Sequence, residues 1–467
     1  FDGIQLGPMG MTSRGNNSPY DSTLFSRNPL DLPFKRFFDE GRIGRRAWDA
    51  ISARSEGKGK TYSEIYAACQ GAIGEVAVHA SRTDREAARE FLEVHQRWLI
   101  PDALYDPLCR EHGSESWLEW NSTAQGEFDQ RLFDRPTGES DATEVRLAEL
   151  KERYASSIED YALIQWLLAE EHRALRVRLR ALGLSVYGDL QVGLSQRDHW
   201  ANRRLLLPGY LMGAPPSRTN PIGQPWGYPV LDPMQFGTPE EPGPALLFVR
   251  ERIQRLLGEC DGVRIDHPHG WVDPWVYRGD QSDPFLAVQS GARLYSSPDN
   301  VAHPELARWA NVRPDQIDRA QTLHADGYVK ALDDEQVRKY SQQIDVIANQ
   351  LPPGARVPEF VACEVLSTLP YPVKRVIERH GIGRFRVTQK LNLSDASDVY
   401  RIENSAPADW IMLGTHDTPS IWELAGKWCQ CPEGTAWGNY LSELLGGGSG
   451  NLPGEIAKDA FHLVNGC

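Results

Sequence analysis

The chain has 467 residues, enough to bury a large core in one decorated domain or in two to three smaller ones. Its 64 acidic residues outnumber 50 basic ones for a formal net charge of −14, and no block of lysine or arginine stands out, so neither nucleic acid nor an anionic membrane is an expected partner. No apolar run approaches the roughly 18 to 20 residues that span a bilayer. The seven cysteines are scattered and odd in number, which favours thiols in a reducing cytoplasm over a disulfide framework.

In chain order, Phe1 to Leu6 reads as a strand running into a turn at Gly7-Pro8, followed by a long loop to Asn28. Within that loop Ser18-Pro19-Tyr20-Asp21-Ser22 sets an aromatic ring beside hydroxyls and a carboxylate; taken alone it is a proline-fixed turn. From about 32 to 182 the composition turns to Ala, Glu, Arg and Leu. Apolar residues recur at three- and four-residue intervals over Ala87 to Leu99 and Val145 to Leu182, which predicts a mostly helical insertion. Gly183 to Leu190 then gives a helix stop, a strand and an acid, Asp189. Residues 208–244 are crowded with glycine and proline and read as an irregular substrate loop. There Gln224, Trp226 and Tyr228 suit sugar recognition, amides forking onto paired hydroxyls while rings cover the apolar face of a pyranose, and suit a packed surface loop equally.

The stretch from Asp261 to Gly270 carries most of the chemistry. Gly262 to Ile265 reads as a short buried strand behind a helix ending near Leu257-Gly258, with Asp266 and His267 at its carboxyl end. Arg356 to Glu364, Arg384 to Leu391 and Ile411 to Thr418 predict further strands, and Gly446 to Gly450 a flexible linker. Four strand candidates thus end in Asp189, Asp266, Glu364 and Asp417, and in a parallel barrel these converge on one face. Crowded carboxylates repel, so one is expected to hold a raised pKa while another stays ionised, the division of labour that glycoside cleavage uses. Arg264, two residues before Asp266 and on the same side of the strand, is placed to keep it ionised. Metal-assisted hydrolysis by His267, His269, His416 and the acids is the competing chemistry. The lone Cys429-x-Cys431 pair reads as plain thiols.

Arg264-Ile265-Asp266-His267, Glu364 after a strand, and Gly414-Thr415-His416-Asp417 resemble the 4-α-glucanotransferases of glycoside hydrolase family 77, the amylomaltase or disproportionating-enzyme family. The resemblance extends to Leu6-Gly7-Pro8, Ser18-Pro19-Tyr20, Tyr187-Gly188-Asp189-Leu190 and Gly223-Gln224-Pro225-Trp226-Gly227, in the family's order from Phe1 to about Trp428. It implies an α/β fold, a (β/α)8 TIM-type barrel with helical insertions forming a single catalytic domain over 1–467. Family members begin upstream of Phe1, and Cys467 precedes the segment expected to form the eighth strand, so the expected barrel is truncated at both ends.

By the same resemblance the activity is transfer of α-1,4-glucan segments between maltooligosaccharides by a retaining double displacement, without metal or organic cofactor. Asp266 is implied as nucleophile, Glu364 as acid and base, and Asp417 as the group that holds the ring hydroxyls of the distorted sugar. Asp189, Arg264, His267 and His416 match substrate contacts around that ring, and Tyr20, Gln224 and Trp226 match contacts in the donor and acceptor grooves. Three departures bear on acceptor choice and on transfer against hydrolysis: Val365-Leu366-Ser367 replaces Asp-Leu-Gly after the acid, Pro268-His269 replaces Phe-Arg, and Pro215-Pro216-Ser217 replaces Pro-Pro-Asp. A hydrolase of the same clan, a glucan-binding pseudoenzyme and a metal-dependent hydrolase are the alternatives.

Overall fold

The computed structural model describes residues 2–52, 60–134, 141–217, 220–238, 241–365, 368–415, 417–430, 432–445, 456 and 458–460. Strand β1 (Gly3–Gln5) is followed by α1 (Phe34–Asp39), α2 (Arg45–Ser52), α3 (Tyr62–Val78), α4 (Arg82–His112), α5 (Ala124–Gln130), α6 (Asp141–Arg153) and α7 (Ala155–Ala181). Next come β2 (Ser185–Leu190), α8 (Gln196–Asn202), β3 (Leu206–Ala214), β4 (Gln224–Leu231), α9 (Pro244–Glu259), β5 (Gly262–Ile265) and α10 (Pro268–Val272). The chain continues through β6 (Trp275–Arg278), α11 (Pro284–Gln289), β7 (Ala292–Arg293), α12 (Asp334–Ala348), α13 (Val357–Phe360), β8 (Val361–Cys363) and α14 (Tyr371–His380). It ends in β9 (Gly383–Val387), β10 (Trp410–Met412), α15 (Ile421–Trp428) and α16 (Pro432–Leu445).

Among the described residues, six strands form one parallel sheet in the order β1-β2-β5-β8-β9-β10. Parallel strands joined by long helical crossovers bury both faces, and β5 and β8 are accordingly buried at every position. The main core joins Val186, Val263, Ile265 and Val361 of the strands to Ile253 and Leu256 of α9 and to Ile344 and Ile347 of α12. Space between strands is tight at Gly262, where a Cβ would meet the Phe360 carbonyl at 2.6 Å and the Tyr187 ring at 2.8 Å. The turn into β2 rests on Gly183, whose φ of 74° is left-handed and accessible to glycine at little cost.

Helices α1 to α7 carry two cores of their own, one around Phe37, Val76 and Leu163 and the other around Leu104, Leu108, Trp120 and Trp200. Thr61 with Glu64 and Ser81 with Asp84 form capping boxes that start α3 and α4.

Residues 208–244, expected as an irregular loop, are instead largely ordered: β3 and β4 pair antiparallel and join β6 and β7 in a second sheet of order β4-β3-β6-β7. The prolines do not break it, because Pro225 and Pro229 sit on the edge strand β4 and a register irregularity between Leu206 and Leu211 absorbs Pro208 and Gly209. Two other strands are shorter than their apolar runs. Pro358 starts a helical turn, α13, so that β8 begins only at Val361, and β9 closes into a 3-10 turn after Val387. The Gly446 to Gly450 segment lies outside the described residues.

Candidate active site

Strand register assembles the site. Asp189 of β2 pairs with Arg264 of β5, and Ile265 of β5 pairs with Cys363 of β8. The next residues, Asp266 and Glu364, therefore emerge side by side at the carboxyl edge, where the Asp266 amide donates to the Leu190 carbonyl (3.1 Å) and the Glu364 amide to the Ile265 carbonyl (3.0 Å).

Arg264, only 2 % exposed, is the centre of the cluster. Its Nη1 donates to both oxygens of Asp189 (2.7 and 2.6 Å) and lies 3.1 Å from Asp266 Oδ1, while Nη2 lies 2.6 Å from Glu364 Oε1. The guanidinium also rests 5.5 Å from the centre of the buried Phe385 ring. His267 Nδ1 is 3.2 Å from Asp266 Oδ1 and 3.4 Å from Glu364 Oε2. That reach depends on the His267 backbone, which has a left-handed φ of 41°, a conformation that strains a non-glycine residue by about 1–3 kcal/mol.

One arginine and one histidine thus face three carboxyls, and the protonation states separate. Burial pushes Asp189 up to about 7, with Arg264 opposing and Asp266 adding to the rise. Burial acts the same way on Asp266, but hydrogen bonding to His267 and the charges of His267 and Arg264 outweigh it and hold Asp266 below the ordinary carboxylate range. For His267 burial works against the charge, and Asp266 and Glu364 more than compensate, so its pKa rises. Crowding therefore raises Asp189, a strand residue behind the pair, while Asp266 is held low.

Tyr20 comes from the N-terminal loop, and its hydroxyl donates to Asp189 Oδ2 (3.0 Å). Trp226, on β4, meets the His267 ring edge-to-face at 5.0 Å, and its Nε1 donates to Gln224 Oε1 (3.0 Å). Tyr20, Asp189, Arg264, Asp266, His267, Glu364 and Trp226 are therefore one connected group with Gln224 at its rim. Asp417 is exposed in the turn after β10, its amide donating to Thr415 Oγ1 (3.3 Å). His416 and Cys431 lie outside the described residues. His269 turns away from His267: its Nε2 sits 3.3 Å from the Thr368 carbonyl, and burial lowers its pKa to about 3.

Sequence reasoning passed over Gln5 and Phe385, and it read Tyr228 only as a ring for sugar or packing. Gln5 donates to Asp189 Oδ2 (3.3 Å), and Tyr228 donates to Asp21, tying the hairpin to the loop that carries Tyr20. Gln5 was open to the strand-end argument applied to Asp189, whereas nothing in the sequence marks Phe385 as the floor beneath Arg264.

Asp266, His267 and Glu364 offer three donor atoms within 4.8 Å of one another, a spacing that suits a metal ion. The charges do not, because Arg264 already supplies a fixed cation to both acids and would repel a second one.

A parallel α/β sheet with two acids meeting at its carboxyl edge is the arrangement of the α/β barrel folds, whose sites lie at strand ends. Within that class the chain belongs to the 4-alpha-glucanotransferase family, whose sequence model matches residues 1–449. It is 26% identical over 280 residues to the 4-alpha-glucanotransferase of Thermus thermophilus and 28% identical over 281 residues to that of Aquifex aeolicus. Each match covers 58% of this chain and 52% of the relative, so the chain spans about half the length of the curated relatives it matches. Its fold is that of the amylomaltase from Streptococcus agalactiae, solved in complex with acarbose (TM-score 0.64, 18% identity, 94% of this chain and 76% of that one). The amylomaltase from Corynebacterium glutamicum is also similar (TM-score 0.55, 20% identity, 98% of this chain and 54% of that one).

Proposed function

We propose that the chain is a 4-α-glucanotransferase that moves α-1,4-glucan segments between maltooligosaccharides by a retaining double displacement. The observation that carries this reading is the meeting of Asp266 and Glu364, with carboxylate oxygens within 4.8 Å. Retaining glycosidases hold their two carboxyl groups about 5 to 5.5 Å apart, so that one attacks the anomeric carbon without room for an intervening water.

In the first step an Asp266 oxygen bonds to C1 of the donor while the C1–O4 bond breaks, and Glu364 gives its proton to the departing O4. In the second, the 4-hydroxyl of an acceptor glucan attacks C1, Glu364 takes the hydroxyl proton, and Asp266 leaves ionised. A depressed pKa suits Asp266 to both attack and departure. Arg264 and His267 hold the two acids in register, and Tyr20 and Trp226 present rings to the sugars. Asp417, after β10 and so two strands beyond Glu364, is assigned to the ring hydroxyls, and His416 beside it to substrate contact. The setting proposed is the reducing cytoplasm, in keeping with Cys69, Cys109, Cys260 and Cys363, which are not in disulfides. No helix among the described residues is long and apolar enough to cross a membrane.

The test is the product pattern from maltotriose. Transfer yields glucose together with sugars longer than the substrate, and either Asp266→Asn or Glu364→Gln lowers turnover by about 10²- to 10⁴-fold. Shorter sugars alone would make the chain a hydrolase, binding without turnover would make it a glucan-binding protein, and loss of activity to a chelator would restore the metal reading. Undiminished transfer in either variant would overturn the assignment of the acids.

A further inference from the structure

Two elements far apart in the chain supply the rings assigned to sugar, Tyr20 from the N-terminal loop and Trp226 from β4, and side chains next to both rings meet. Tyr228 lies two residues from Trp226 with ring centres 6.0 Å apart, and its hydroxyl donates to Asp21 Oδ1. Asp21 directly follows Tyr20, and its other carboxylate oxygen accepts from Asn16 Nδ2 (2.7 Å). Burial, then the hydrogen bond to Asp21 and its charge, raise the pKa of the Tyr228 hydroxyl, which therefore stays a donor at neutral pH.

The segment that follows β2 supports this contact. Gln191 Nε2 donates to the carbonyls of Tyr20 (3.3 Å) and Ser22 (2.9 Å), which fixes the loop to the strand that carries Asp189. The buried Gly193 leaves the room in which loop and hairpin meet: a Cβ there would run into the Tyr20 carbonyl and lie 2.8 Å from Tyr228 Cζ. The hairpin is attached to the main core elsewhere, through Tyr210, Met212 and Val230. Holding the second sheet in place therefore does not require the bond from Tyr228 to Asp21. What that bond does set is the placement of Trp226 relative to Tyr20, because a hydrogen bond to a carboxylate is short, strong and directional.

We propose that Asp21 and Tyr228 form a clasp that fixes the spacing of the Tyr20 and Trp226 rings, which makes both of them positioning residues for glucan binding. The clasp rests on the glucan-transfer reading above. Rings already held at a set spacing spare an incoming glucan the cost of ordering them. Neither clasp residue touches Asp266 or Glu364 within hydrogen-bond or ion-pair distance among the described residues, so its contribution falls on substrate binding more than on bond cleavage.

The test is steady-state kinetics of transfer from maltotriose, with calorimetric titration of maltoheptaose into the Glu364→Gln chain as a readout that needs no turnover. Tyr228→Phe, Asp21→Ala and the double variant are each expected to raise KM and weaken maltoheptaose binding by about three- to tenfold, with a smaller fall in kcat and the double variant no worse than either single one. Asp21→Asn keeps an oxygen for Tyr228 to donate to and is expected to bind within about twofold of the parent. A bond that only pins the fold would lower melting temperature and leave KM and maltoheptaose affinity unmoved. A Tyr228 that touches the sugar itself would leave Asp21→Ala at parental affinity. Either result would overturn the clasp. If the parent binds maltoheptaose without transferring it, the transfer reading falls and the calorimetric series still decides the clasp; a parent that binds no maltooligosaccharide overturns both.

Discussion

At the strand ends Arg264 faces three carboxyls, Asp189, Asp266 and Glu364, whereas at α9 two arginines, Arg27 and Arg255, share the one carboxylate of Glu259. The two clusters use the same groups in opposite proportions. The first sets three carboxyls around one guanidinium, which suits a neutral substrate whose anomeric carbon turns positive in the transition state. The second sets two guanidiniums on one carboxylate, a buried structural pairing. They also differ in how they are held. Strand register fixes the acids to neighbouring backbone positions, while the arginines project from helices and a loop brought together by packing.

The largest effect that can break this contrast comes from Arg264→Met. It leaves the buried carboxyls without their cation and is expected to cost about 3–5 kcal/mol, read as a fall in denaturant midpoint and melting temperature. A near-neutral result would mean that Arg264 does not hold the acids. Next, Glu259→Gln removes the only carboxylate shared by Arg27 and Arg255, at a smaller cost of about 1–3 kcal/mol. The loss is reduced because Glu259 ends α9, where a negative charge opposes the helix dipole. An increase in stability would show that the two arginines do not need this carboxylate.

A further effect is a slope across pH. With Asp189 raised to about 7 from its ordinary 3.8, the folded chain keeps between those values a proton that the unfolded chain releases. Asp189 therefore lowers stability progressively as pH rises from about 4 to 7, with no further change above. The difference in stability between the parent and Asp189→Asn, followed across that window, should trend in that sense; a flat difference would place the crowding proton elsewhere.

Much of the site was legible because strand ends advertise themselves. A short apolar run closing on an acid marked Asp189, Asp266 and Glu364, and alternation along the strand put Arg264 on the side of Asp266. The hairpin was not legible. Pro225 and Pro229 look like loop residues until β4 is seen to be an edge strand, where a missing amide costs no ladder bond. Nor was the left-handed His267, since the residue before a proline is ordinarily extended. The shared pairing of Arg27 and Arg255 on Glu259 left no trace at all, because the two arginines are 228 residues apart and each alone resembles a solvated charge.

By itself the sequence determined the helical insertion and the strands that close on an acid, since these follow from apolar periodicity and from the residue that closes each run. Tertiary structure alone decided the hairpin, which acid is raised and which is held low, which histidine meets the acids and which arginines share a carboxylate. Protonation and charge balance depend on burial and on distances between groups far apart in the chain, and folding is what sets both.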